Sequence, residues 1–233
     1  IGREVTSRGD TSTAMGNQTT ASGSNSTAMG YKTIALGLSS TAMGWGTTAG
    51  WRTTASGSYS TAMGYSTTAS GSSTAMGNAT KAVGLNSTAM GKLTTASGDD
   101  STAMGYYTTA SGLRSTAMGY YTTASGDYST AMGYYTTASG DYSTAVGRQI
   151  RANSYAETAL GLFNKDVTPI STTAYSGKDR LFVIGNGTSI SARSDALVMF
   201  KNADTILSGN MNIEKGLNVH GKTNLTGTLS VGN

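Results

Sequence analysis

The sequence has 233 residues, of which 32 are Gly, 3 Phe and 2 Trp, with abundant Ser, Thr and Ala and no Cys. Such a composition excludes the mixed apolar core of an ordinary globular enzyme and points to a repeat architecture. The 16 basic and 12 acidic side chains are scattered, so no stripe of charge suits a phosphate backbone, and nucleic acid is not expected as a partner.

Without Cys the chain neither needs nor reports an oxidising compartment. No apolar run approaches the length of a membrane span and no signal peptide is visible. Because the chain begins at Ile1 and stops at Asn233 in mid-pattern, it reads as a piece of a longer protein.

Taken from the start, Gly2, Gly9, Gly16, Gly23, Gly30, Gly37 and Gly44 keep a seven-residue beat, which resumes through Gly57, Gly64 and Gly71 and runs unbroken from Gly84 to Gly147. Met and Ser alternate before successive glycines, as at Met104-Gly105 and Ser111-Gly112, so the true unit is fourteen residues with two similar halves. A heptad suggests a coiled coil, but each Gly costs a helix about 1 kcal/mol relative to Ala, and helix is rejected. Disorder is also set aside, because the apolar residues hold their register. Two strands of four or five residues per coil, each ended by a glycine free to take positive φ, fit the pattern.

Period-two alternation assigns faces within each coil. Ser101 and Ala103 point one way, Thr102 and Met104 the other, so Ala14, Ala21, Ala28, Ala35 and their equivalents face the inside of a narrow tube. The residue before Gly points outward: Met15, Met29, Met43, Met63, Met76, Met90, Met104, Met118, Met132 and then Val146 in one half, usually Ser in the other. One wall is therefore apolar and the opposite one wet. Burying a Met contributes about 2 kcal/mol, about 18 kcal/mol for the nine as an upper bound, so the column predicts self-association along a common axis.

Two slips interrupt the beat. Between Met43 and Met63 an extra half-coil, Trp51 to Gly57, is expected; between Met63 and Met76 either a turn deletion or a local jog. The aromatics are phased too. Tyr31, Trp45, Tyr65, Tyr106, Tyr120 and Tyr134 follow a Met-type Gly, with Tyr107, Tyr121 and Tyr135 next to the last three, while Tyr59, Tyr128 and Tyr142 lie two places after a Ser-type Gly. Stacked coils would line them into exposed ladders at the turns. Neighbouring rings stabilise one another by roughly 0.5–1 kcal/mol a pair, and the same stripe is good contact surface for sugar or protein.

The Ser-x-Ala-Met-Gly and x-Thr-Ala-Ser-Gly units resemble the Ser-Val-Ala-Ile-Gly-type head repeats of YadA-like trimeric autotransporter adhesins over about two thirds of the chain. That resemblance implies an all-β fold, a left-handed parallel β-roll solenoid of fourteen-residue coils, with three chains around one axis; an intertwined β-shaft is expected after it from the spacing of the last apolar pairs. The resemblance also implies an extracellular place on a cell or phage-like particle surface. Met stands where the family usually carries Ile or Val, which return at Val146 and, in the opposite half, as Leu36 and Val83. About eleven coils at about 4.8 Å each give a head on the order of 50 Å long.

On this reading residues 1–161 are the head, 162–205 a linker and small β module, and 206–233 a thin shaft. Pro169 marks the linker; Leu181 to Gly185 reads as a buried strand and Ala196 to Phe200 as a second. The stretch Arg180 to Lys201 looks like a shaft module of bacterial and phage tail-fibre-like proteins. Spaced apolar pairs, Met211 and Ile213, Leu217 and Val219, Leu229 and Val231, suit an intertwined shaft.

Several motifs imitate chemistry. Gly216 to Thr223 matches the phosphate-loop pattern, but the chain after it is β-like and supplies no helix or acidic metal partner. Arg8-Gly9-Asp10 is an integrin-type tripeptide whose Gly already belongs to the beat, and the Asn-x-Ser/Thr patterns at Asn17, Asn25, Asn78, Asn86, Asn186 and Asn224 arise readily in so Thr-rich a chain. His220 stands without a second metal ligand, and Asp99-Asp100 is a lone acidic pair. No catalytic, cofactor or metal set is expected. The function expected is a homotrimeric fibre segment binding a cell-surface glycan or protein by repeated weak contacts. The alternatives are a filament joined end to end and an ice-binding wall of Thr19 and Thr20, Thr108 and Thr109, Thr122 and Thr123, Thr136 and Thr137, on which Thr108→Asp should be tolerated.

Overall fold

The computed structural model describes residues 1–45 and 53–214. Among them every regular element is a strand, and the strands form two sheets, parallel through the roll and stacked coil upon coil, a β-solenoid of about eleven turns. The Met half of each coil gives a five-residue strand such as Thr102–Tyr106 or Thr116–Tyr120. The Ser half gives only two or three residues, such as Thr109–Ala110, so the expectation of two similar strands is corrected. Each coil sits fourteen residues above the last, Ala103 on Ala117 and Met104 on Met118.

The tube is filled as alternation requires in both halves. Ala from both halves is fully buried, Ala103 and Ala110 at 0% exposure. Ser101 and Ser115 point inward beside them, as expected, but so do Thr108, Thr122 and Thr136. In the Ser half, then, Thr108 and Ala110 face in while Thr109 and Ser111 face out. The wall of paired Thr proposed for ice binding therefore does not exist: the first Thr of each pair lines the core. The expectation for Thr108→Asp reverses accordingly. An aspartate there would bury a charge beside a hydroxyl that already lacks a hydrogen-bond partner. A loss of several kcal/mol follows, measurable by chemical denaturation, while Thr109→Asp on the outer face stays near wild type; equal stability of the two variants would refute this.

Glycine serves stacking more than turning. A Cβ on Gly119 would stand 2.1 Å from the carbonyl oxygen of Gly133 in the next coil, and one on Gly112 would stand 2.0 Å from that of Gly126. Within the roll, positive glycine φ belongs to the Met-type positions, about +127° at Gly119; the Ser-type ones, Gly71 apart, do not need it. The left-handed residue of each turn lies two places after Gly and is Tyr107, Arg114, Tyr121 or Tyr128 in the regular region.

Both slips leave the register intact. Met63 pairs with Met76 although the turn between them is one residue short; Gly71 itself takes the left-handed φ of 70°, so this slip is a turn deletion. Thr53–Ala55 stacks on Thr33–Ala35, which makes Thr53 to Gly57 the regular half-coil and not an insert. Trp51 lies outside the described residues.

At the far end the longer sheet crosses the composition change at Leu162. Strand Arg180–Asn186 stacks on Thr158–Leu162 with Val183 over Ala159, Ile184 over Leu160 and Gly185 over Gly161. Only one face is buried: Val183 is at 0%, but Leu181 and Ile184 are exposed, which corrects the reading of a buried strand. Asp195–Phe200 and Thr205–Leu207 then close the sheet antiparallel. The shorter sheet stops at Arg151–Ala152, where side chains replace the missing coil. Arg151 N–H donates to Asn164 Oδ1 at 2.9 Å and its carbonyl accepts from Asn164 Nδ2 at 2.8 Å. Glu157 Oε2 accepts from the N–H groups of Asn153 and Ser154 at 2.8 and 2.9 Å. Glu157 is buried and meets Arg180 at 2.8 Å; burial pushes its carboxyl above the usual range, and Arg180 and these N–H donors pull it back. Ser154 takes the glycine beat here because no further coil of this sheet lies above it, and its hydroxyl donates to Arg180 C=O at 2.7 Å. The phosphate-loop-like stretch, His220, Asn224 and the pairs Leu217 with Val219 and Leu229 with Val231 lie outside the described residues.

Candidate functional site

The longer sheet carries the outward columns expected of an interaction surface. Thr102, Met104 and Tyr106 alternate out from one strand, so the Thr, Met and Tyr columns share one wall. The Met column runs in register from Met15 through Met29, Met43, Met63, Met76, Met90, Met104 and Met118 to Met132, then Val146. Met15 is 38% exposed, and the others are half-buried by their neighbours in the column. The opposite wall is Thr and Ser, broken by the exposed Leu36 and Val83.

The aromatics form ladders, and the structure moves some of them from the turns onto the Met wall. Tyr106, Tyr120 and Tyr134 end the long strands and stack at 5.1 and 5.0 Å, with ring planes within 9° of parallel. Tyr107, Tyr121 and Tyr135 occupy the left-handed turn beside them and stack at 4.6 and 4.7 Å. Edge contacts such as Tyr106 on Tyr107 at 4.8 Å join the two columns into one six-ring patch. Cations close it at both ends, Lys92 over Tyr106 at 5.4 Å and Arg148 over Tyr134 at 5.6 Å. Loss of water around the rings, then repulsion from neighbouring phenols, raises the pKa of Tyr120 and Tyr121 above 10.0. Nearer the N-terminus, Tyr31 meets Trp45 edge-on at 6.1 Å, and Tyr65 continues that column. Tyr128 and Tyr142 stack at 4.8 Å in the turns of the Ser half, apart from the six-ring patch.

With this geometry in view, the comparison with known families is decisive. The YadA head domain repeat matches residues 7–33, 55–72, 72–94, 96–122 and 124–149, just over half of the chain. The chain belongs to the YadA head domain repeat family. No curated protein matches it. YadA-type heads are trimeric, surface-exposed adhesins, a structural and non-enzymatic kind of protein. The matches end at residue 149 and include none of the stretch from Arg180 to Lys201 that resembles a tail-fibre shaft.

Within this YadA-type head, two residues of the Met column escape a sequence reading. Leu160 stacks on Val146 and Ile184 on Leu160, so the apolar column continues past the matched repeats. The signal was present in Ala159-Leu160-Gly161 and Val183-Ile184-Gly185, but the excursion between them hides the beat. The other motifs resolve structurally. A Cβ on Gly9 would stand 2.1 Å from Gly23 O, so this glycine serves stacking, with Arg8 and Asp10 exposed beside it. Asp99 Oδ1 accepts from Leu85 N–H at 2.8 Å and so pins one coil to the previous one. Among the described residues no group of three or more His, Cys, Asp or Glu could hold a metal, and no helix is long and apolar enough to cross a membrane.

Proposed function

We propose that the chain is the head segment of a homotrimeric adhesive fibre, in which the Met walls of three rolls face a common axis and the turn surfaces meet a cell-surface receptor by repeated weak contacts. The single observation that carries this is the Met column: an uninterrupted apolar stripe, half-exposed on one chain, that Val146, Leu160 and Ile184 prolong. Three copies raise the effective concentration of every weak site, so no deep pocket is required. Residues 162–205 then serve as the junction between the head and a thinner shaft from 206. The test is mass in solution at micromolar concentration. Three times the chain mass is expected, and a stable monomer would refute the shared axis. Joining end to end into a filament is disfavoured at the far end, where Asn164 and Glu157 occupy the edge of the shorter sheet.

A further inference from the structure

Where the tyrosine ladders end, the turn after strand Arg180–Asn186 folds back over the roll. Gly187 N–H donates to Leu162 C=O at 3.0 Å and Ser194 N–H to Phe163 C=O at 3.1 Å. Arg193 fastens the same turn, donating to the carbonyls of Gln149 and Asn164 at 2.8 and 2.9 Å. An open groove of 690 Å³ is left between Tyr134, Tyr135, Arg148, Phe163 and the 188–191 turn.

Its chemistry is one-sided. The Arg148 guanidinium lies 5.6 Å from the Tyr134 ring and 5.3 Å from the Phe163 ring, yet among the described residues it pairs with no carboxylate. No carboxylate lines the groove. Gln149 Oε1 already accepts from Arg193 at 3.2 Å, which leaves the Gln149 amide N–H groups as donors. Thr188, Ser189 and Ser191 add hydroxyls along the rim. Tyr135 is stacked on one side by Tyr121, and the next position of that column, Gln149, brings no ring to its other side. The groove thus combines an aromatic floor, a hydroxyl rim and an unpaired planar cation.

We propose that this groove binds an acidic saccharide, a pyranose that carries a carboxylate. The sugar's C–H face lies on Tyr135, its hydroxyls meet the rim and Gln149, and its carboxylate takes the Arg148 fork. Aromatic rings suit the apolar face of a pyranose, and guanidinium pairs with carboxylate through two parallel hydrogen bonds. A free inorganic anion would use the cation but not the floor. This deepens the adhesive reading above and rests on it.

The experiment titrates the full chain by calorimetry with sialyllactose, a glucuronate-containing tetrasaccharide, lactose and inorganic phosphate, recording the mass of each sample. Binding of at least one acidic saccharide is expected, at least tenfold tighter than lactose or phosphate. Arg148→Gln and Tyr135→Ala should each weaken it at least tenfold, and Arg114→Gln in the turns of the Ser half should leave it unchanged. Equal affinity for lactose, silence toward both acidic saccharides, or full binding by Arg148→Gln would overturn the proposal. So would a change of mass in Arg148→Gln, since that would make the groove a contact between subunits. A trimer that ignores saccharides refutes the groove alone, whereas a monomer refutes the assembly.

Discussion

Gly119→Ala is expected to destabilise the middle of the roll by about 4 kcal/mol or more, the combined cost of a strained left-handed φ and an overlap that side-chain repacking cannot relieve. The new Cβ would lie 2.1 Å from Gly133 O, a backbone atom of the adjoining coil, and φ there is +127°. Relief requires the coils to part, and that breaks the ladder between Thr116–Tyr120 and Thr130–Tyr134. In a solenoid each coil touches only its neighbours, so the damage should open the roll locally and expose nearby backbone to protease. Gly177→Ala is the control: its Cβ would meet nothing closer than 3.5 Å. Thermal denaturation followed by circular dichroism decides the matter, and a Gly119→Ala midpoint equal to that of Gly177→Ala would refute the close-approach argument.

The second large effect concerns assembly. Met104→Asp combined with Met118→Asp is expected to abolish the proposed trimer while leaving the roll folded. The two positions are partners in register, and both are only half-buried in the single chain, so each carboxylate can reach water before association but not after it. Association would lose about 2 kcal/mol of apolar burial per site as an upper bound, because part of each Met is already covered, and would add several kcal/mol for each charge taken from water. Sedimentation across a hundredfold range of concentration should show monomers for the double variant. Thr109→Asp with Thr123→Asp, on the opposite wall, should keep the native mass. Native mass in the Met variant would mean that the column is not the interface.

Much of this architecture is legible in the residue order. The beat from Gly84 to Gly147 announces fourteen-residue coils, because only a residue without Cβ can stand so near the carbonyl above it. Ala103 and Ala110 announce the tube's width, and Met104, Met118 and Met132 the apolar wall. Thr108 misleads, since Thr serves either side of a strand equally well and its neighbour Thr109 is identical. Counting alternation back from the buried Ala110 puts Thr108 inside and Thr109 outside, as the structure has them. The six-ring tyrosine patch was half visible: the phase of Tyr106, Tyr120 and Tyr134 was clear. Their place on the Met wall, and the merging of their column with that of Tyr107, Tyr121 and Tyr135, depends on which residue of each turn is left-handed.

By itself the sequence determined the period, the identity of the inner and outer columns in the Met half, and the requirement that coils stack in register. These follow from local rules: strand alternation, the size of Ala, and the missing side chain of Gly. The tertiary structure alone decided how the roll ends. Asn164 and Glu157 act as substitute backbone for an absent coil, Ser154 takes a glycine's place because nothing sits above it, and Ile184 rejoins a column after a long excursion. The groove at Arg148 belongs to the same class, because its walls come from the ladders and from the distant 188–191 turn. Contacts between positions so far apart leave no period in the chain; they exist only once the coils are stacked and the end folds back on them.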